Sequence, residues 1–208
     1  MRRTAWEFQS DRVVIGTDEV GVGPLAGPIF AAAVVVKPGT DFPLVNDSKR
    51  LTATQRHRAL ESMLKAGLLA WSCRSTTNLD PSVTRARLRL MSDCVSSVQS
   101  MIGAVSPLVV VDGNLQLPLP PSTEQVVLVK GDTRCLEVAC ASIIAKVLHD
   151  EYMFRLAREF PEYGFERHNG YGTEEHVEAI IKHGKTAHHR DKATATAIAT
   201  YLAKREAA

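Results

Sequence analysis

Four acidic residues sit where acids are costly unless they do something: Asp18 and Glu19 in GTDEVGVGPLAGP, Asp112 in VVVDGN, and Asp150 in AKVLHDEY. Converging carboxylates repel one another, and a hard divalent cation relieves that repulsion, since Mg²⁺ takes oxygen ligands and keeps waters for chemistry. Two such ions about 4 Å apart would stabilise the attacking and leaving oxygens of a phosphodiester. Ser142, Lys146 and Asp150 recur at i, i+4 and therefore share one helical face. A polar stripe through CASIIAKVLHD, whose Ile143, Ile144 and Val147 favour burial, is unfavourable unless it faces a site or finds partners. Each acid alone also reads as a turn former or helix cap, and Lys146 with Asp150 as an exposed ion pair worth little.

Rival chemistries fit less well. Gly21, Gly23 and Ala26 satisfy the dinucleotide pattern GxGxxG/A, but two acids directly before the turn would repel a pyrophosphate. Gly27-Pro28 is moreover followed by IFAAAVVV, an apolar β-branched run where that fingerprint needs a helix. The sequence contains no Walker-A motif. His176, His183, His188 and His189 have neither HExxH spacing nor a cysteine partner at zinc spacing, and are expected on solvated helix faces and loops. Cys73, Cys94, Cys135 and Cys140 show no CxxC pair and read as free thiols, with a reducing, cytoplasmic location as the default.

The elements that must position these residues follow from pattern. RVVIGTD (12–18) and IFAAAVVV (29–36) read as buried strands, with Asp18 and Glu19 closing the first, and LLAWSCRS (68–75) as a third. PLVVVDGN and EQVVLVKGD are two further apolar runs, each stopping at an Asp-containing turn. Thr52 and Gln55 stand at capping-box spacing before a helix that ends at Gly67, with Leu60, Met63 and Leu64 on its period. A long helix follows the Asp80-Pro81 signal with Leu88, Met91 and Val95 on one stripe, and another from Cys135 is stopped by Pro161. PEYGFERHNGYG reads as an irregular loop, followed by terminal helices over 173–184 and 191–208. The pattern predicts a mixed sheet covered by helices. With 208 residues, 45% hydrophobic and a net charge of only +2, nucleic-acid binding would have to come from a local patch. MRRTAWEFQSDRVV has no apolar segment of a leader, and no window reaches the length of a membrane span.

These blocks resemble the type 2 ribonuclease H (ribonuclease HII) family. The resemblance starts at GTDEVGVGPLAGPIFAAAVVV and continues through NDSKRLTATQR, VVVDGN, VKGDTRCLEVACASIIAKVLHDEYM and YGFERHNGYGTEEH, in the family's order over roughly 12–190. It implies a ribonuclease H-like α/β fold, a five-stranded mixed sheet flanked by helices, with a catalytic core over 1–160 and a C-terminal helical region over 161–208 completing the cleft. It also implies an endonuclease that cuts the RNA strand of RNA/DNA hybrids and nicks at ribonucleotides embedded in duplex DNA, leaving 5′-phosphate and 3′-hydroxyl ends. The family's metal ligands fall on Asp18, Glu19, Asp112 and Asp150, holding two Mg²⁺ or Mn²⁺ ions. By the same analogy Gly21 and Gly23 read the ribose 2′-hydroxyl, Tyr171 packs on the neighbouring deoxyribose, and Lys49, Ser142 and Lys146 contact phosphates. A monomer acting on nucleic acid, away from membranes, is expected.

Two places depart from the family's pattern. Val22 stands where Gly-Arg-Gly has its arginine, and Leu148-His149 replaces a common Thr-Arg before the last aspartate. An arginine on phosphate is bidentate and always charged, so its loss weakens duplex binding and flattens the salt dependence by about one unit per contact. A nucleic-acid-binding paralogue with weak or lost junction-specific cleavage is therefore the alternative expectation.

Overall fold

The structure is a computed structural model that describes residues 12–77, 79, 82–103 and 106–206. It forms two compact units, one of residues up to Val20 and Ile29–Leu148, the other of Gly21–Pro28 and His149 onward. The N-terminal stretch before Arg12 and the Asp80-Pro81 signal lie outside the described residues.

In the first unit five strands form one sheet: β1 (Val14–Val20), β2 (Ile29–Val36), β3 (Leu68–Thr76), β4 (Leu108–Asp112) and β5 (Gln125–Leu128), in the order β3-β2-β1-β4-β5. β1, β2 and β3 pair antiparallel, while β1 with β4 and β4 with β5 are parallel, so the sheet is mixed as expected. Every residue of β2 is buried, which explains why IFAAAVVV carries no polar alternation. Edge strand β3 buries only Ala70, the pattern of a strand covered on one side alone.

β1 runs two residues further than the sequence suggested. Asp18 and Glu19 pair with Ala32 and Ala31 and so lie inside the strand, because the ladder with β2 continues to Val20 against Phe30. Successive residues of a strand face opposite sides. Asp18 shares its face with Gly16, and Glu19 with Thr17.

Helices pack on this sheet. α1 (Ala53–Ala66) begins at the expected capping box, Thr52 Oγ1 accepting from Gln55 N–H and Gln55 Oε1 from Thr52 N–H. It buries Ala59 and Met63; Leu64 points outward instead, 52% exposed. α2 (Val83–Ile102) starts at the Ser82 cap, packs on β1, β2 and β3, and ends at Gly103 in the left-handed region. After a short 3₁₀ turn at Gly131–Thr133, α3 (Leu136–Glu159) sets its first turn on β1 at Gly16. A Cβ on Gly16 would lie 2.3–2.5 Å from atoms of Glu137 and Val138, so only glycine admits this approach.

In the second unit α3 continues from His149, followed by a 3₁₀ turn at Pro161–Tyr163, α4 (Phe165–His168), α5 (Glu174–His183) and α6 (Asp191–Glu206). PEYGFERHNGYG is thus not wholly irregular; its four-residue helix is too short to leave a period in the sequence. Leu25, Met153, Leu156, Phe165, Val177 and Ile180 form the core of this unit. The Gly21–Pro28 segment is tied in by backbone bonds from Leu25 N–H to Gly170 O and from Gly27 N–H to His188 O, and by an Ala26–His189 bridge.

Two of the four histidines correct the sequence reading: His176 and His189 are buried, whereas His183 is exposed on α5 as expected. His168 is buried as well, stacked on His176 at 4.5 Å between ring centres. Their environment is aromatic, Phe165 meeting all three rings.

Candidate functional site

In the first unit the carboxylates of Asp18, Glu19 and Asp112 gather at the C-terminal ends of neighbouring strands β1 and β4. Asp18 is buried; burial, then the charges of Asp112 and Glu19, push its carboxyl well above the usual range. Opposing this, the Ser142 hydroxyl and Glu19 N–H donate to it, the latter at 2.7 Å. The Ser142 hydroxyl also pairs with that of Ser48 at 2.9 Å. Asp112 Oδ1 accepts from Gly131 N–H at 2.7 Å, which fixes one carboxylate oxygen and leaves the other side of the group to the site.

Glu19 faces α2, where Arg87 Nη1 donates to Oε1 at 2.5 Å. Burial raises the Glu19 carboxyl and the Arg87 guanidinium opposes it, with burial the stronger. Glu19 Oε2 is buried without a hydrogen-bond partner among the described residues. Lys49 stretches to Asp132 at 3.7 Å, its side chain otherwise 82% exposed. Burial of its stem works against the ammonium, but Asp132, Asp18, Asp47 and Asp112 together raise it, so Lys49 stays charged beside the acids. Ser142 and Lys146 lie on α3 as the i, i+4 spacing required.

Among the described residues, no three or more His, Cys, Asp or Glu side chains are arranged as a ready metal cage. The donor set nevertheless suits a hard cation: oxygen ligands only, one buried carboxylate oxygen with no hydrogen-bond partner among the described residues, and neighbouring acids that raise the Asp18 and Glu19 carboxyls.

In the second unit lie Gly21, Val22, Gly23, Tyr171 and Asp150. Gly21 and Gly27 have φ of 85° and 93°, where L side chains are strained, and a Cβ on Gly21 would come 2.6 Å from Pro28 O. The Tyr171 ring is 50% exposed, 3.3 Å from where a Gly23 Cβ would be. Tyr171 is presented by a left-handed pair, Asn169 and Gly170, and is not the core anchor that a loop tyrosine commonly is. His149 is buried under Gly21 and lies 3.5 Å from Asp150 Oδ1 through Nδ1, so it does not stand in for a solvent-facing arginine.

Four residues in or beside these clusters carry no local signal in the sequence: Arg87, Asp132, Ser48 and Arg190. Arg190 donates to three carbonyls of the glycine turn, those of Gly21, Val22 and Gly27. Their partners lie far away in the chain, so no spacing rule finds them.

The mixed sheet in this order, with acids at the ends of β1 and β4, defines a ribonuclease H fold. Bst-RNase HIII in complex with Mn²⁺ has the same fold, with a TM-score of 0.69 at 20% identity over 92% of this chain and 70% of that one. At the sequence level, the ribonuclease HII family model matches residues 15–196. The chain is 41% identical over 180 residues to ribonuclease HII of Halalkalibacterium halodurans, spanning 85% of this chain and 65% of the relative. It is 39% identical over 194 residues to ribonuclease HII of Pelodictyon phaeoclathratiforme, spanning 88% and 90%. The chain belongs to the ribonuclease HII family and is a type 2 ribonuclease H.

Proposed function

We propose that this chain is a divalent-metal-dependent endonuclease that hydrolyses the RNA strand of RNA/DNA hybrids and nicks at ribonucleotides embedded in duplex DNA. It would leave 5′-phosphate and 3′-hydroxyl ends and act as a monomer in the cytoplasm. The observation that carries the reading is the buried Asp18 carboxyl, pressed by Asp112 and Glu19 in an all-oxygen setting. Asp18, Glu19, Asp112 and Asp150 would hold Mg²⁺ or Mn²⁺, in a two-metal site by family resemblance; the Mn²⁺ of the Bst-RNase HIII structure supports such use. When bound, the cations supply charge neutralisation and an activated water.

The chain's own residues do the rest. Ser142 and Glu19 N–H hold the Asp18 carboxylate in one orientation. Gly131 N–H does the same for Asp112. Lys49 keeps an ammonium near the acids, suited to a substrate phosphate, and Lys146 sits one turn beyond Ser142 for a second phosphate contact. Gly21, Val22 and Gly23 would meet the ribose through the backbone, and the exposed Tyr171 ring a neighbouring sugar.

The test is cleavage of two labelled duplexes in Mg²⁺ and in Mn²⁺, one a full RNA/DNA hybrid and one DNA with a single ribonucleotide. Nicking of the second at the ribonucleotide is expected, with loss of cleavage on both in Asp18→Asn and Asp112→Asn. Unchanged rates in those variants at saturating metal would overturn the ligand assignment. Val22, which brings no charge to the turn, motivates a second reading, a binding paralogue with weak or lost junction-specific cleavage. Binding of the single-ribonucleotide duplex without nicking would favour it.

A further inference from the structure

We propose that Arg190 is a positioning residue that aims the backbone N–H groups of Val22 and Gly23 at a substrate acceptor, and so sets discrimination for a 2′-hydroxyl. The inference rests on the reading that this turn meets the ribose. Arg190 Nη2 donates to Gly21 O at 2.5 Å and to Gly27 O at 2.8 Å, Nη1 to Val22 O at 2.8 Å, and Nε to Gly27 O at 3.2 Å.

Peptide geometry turns those bonds into directions. In a trans peptide the carbonyl of one residue and the N–H of the next point in opposite directions within the peptide plane. Holding Gly21 O against the guanidinium therefore turns Val22 N–H away from it, and holding Val22 O does the same for Gly23 N–H. Among the described residues neither N–H donates a backbone hydrogen bond. The turn thus commits its carbonyls inward to a cation and leaves two donors over, beside the exposed ring of Tyr171. A cation on the carbonyl side also polarises each peptide and strengthens the N–H as a donor. Hydroxyl oxygens accept such bonds, whereas a deoxyribose offers nothing at that position.

Arg190 is itself held. Its backbone N–H donates to Leu25 O at 2.8 Å. The preceding residue, His189, bonds through Nε2 to His176 Nε2 at 3.1 Å. His176 Nδ1 reaches Tyr171 O at 2.8 Å, so the frame that orients the turn also fixes the backbone of Tyr171.

The experiment compares the parent, Arg190→Gln and Arg190→Lys with two duplexes that differ only in one 2′-hydroxyl, their affinities measured with Ca²⁺ in place of Mg²⁺. Arg190→Gln is expected to lower the 2′-hydroxyl preference roughly ten-fold, and Arg190→Lys, which keeps the charge but reaches fewer carbonyls, roughly three-fold. Backbone amide shifts of Val22 and Gly23 are recorded on the same proteins without substrate, and they should move in both variants. Equal weakening for both duplexes, or an unchanged preference, overturns the inference, as do unmoved amide shifts. If Arg190→Gln does not fold, the Arg190→Lys arm decides on the same criteria. A parent that shows no 2′-hydroxyl preference, while the amide shifts respond to Arg190, would instead sink the ribose reading and leave the aiming of the turn standing.

Discussion

Acid should loosen the second unit through its buried histidine pair. Tyr171 O can only accept, so His176 carries its proton on Nδ1 and presents a bare Nε2. Thr186 N–H, at 3.0 Å, can only donate, so His189 Nδ1 is bare and its Nε2–H donates to His176. Each ring is neutral in one tautomer only, and an added proton sets two donors face to face. Burial is the main cause that lowers both groups to about 4. The folded values lie below the ordinary 6.5 of an unfolded chain, so the unfolded state binds more protons between pH 6.5 and 4, and stability falls as pH falls through that window. For one histidine the loss amounts to about 2 kcal/mol by pH 5 and about 3 kcal/mol by pH 4. Urea unfolding at pH 7, 6, 5 and 4.5 measures it, comparing the parent with His176→Phe/His189→Leu, which has no proton to take up at either position. The parent's stability should decline steeply through this range and the variant's much less. Parallel pH profiles for the two proteins would refute the reasoning.

Three further outcomes follow from particular contacts. Asp18→Asn removes a buried charge that Asp112 and Glu19 oppose, so without metal it should raise Tm by roughly 2–6 °C in thermal unfolding while abolishing cleavage. Gly16→Ala places a Cβ 2.3–2.4 Å from backbone atoms of Glu137 and Val138, which cannot retreat without moving α3; a loss of at least about 2 kcal/mol is expected in denaturant melts. Val22→Arg adds a cation to the turn and should steepen the salt dependence of duplex binding by about one unit, tested by affinity against log salt; an unchanged slope would show that other residues already make that contact.

What the sequence revealed depended on whether the signal was local. β2 could be read from IFAAAVVV, the start of α1 from Thr52 and Gln55, and the placing of Ser142 and Lys146 on one helix from their spacing, because each needs only neighbours in the chain. The extent of β1 could not, since Val20 is strand only by pairing with Phe30. Leu64 misled because the buried stripe of α1 runs through Ala59 and Met63, and an alanine contributes little to a hydrophobic pattern. His176 and His189 misled for a similar reason: their polarity suggests solvent, yet Tyr171 O and Thr186 satisfy them inside an aromatic cluster. Arg87 is sixty-eight residues from Glu19, and no periodicity spans such a gap.

The glycine turn has a consequence for the order in which the protein becomes complete. Its carbonyls are bound by a residue 163 to 169 positions later in the chain, and Gly27 N–H waits for His188 O. A ribosome therefore makes the turn well over a hundred residues before the arginine that clamps it. Strands β1 to β5 are all synthesised before residue 190, so the acid-bearing sheet can form while the turn still lacks its support. Chains released early, or nicked before His188, would keep the Asp18–Asp112 cluster but not an oriented turn. Such fragments would be expected to lose selectivity before they lose the sheet.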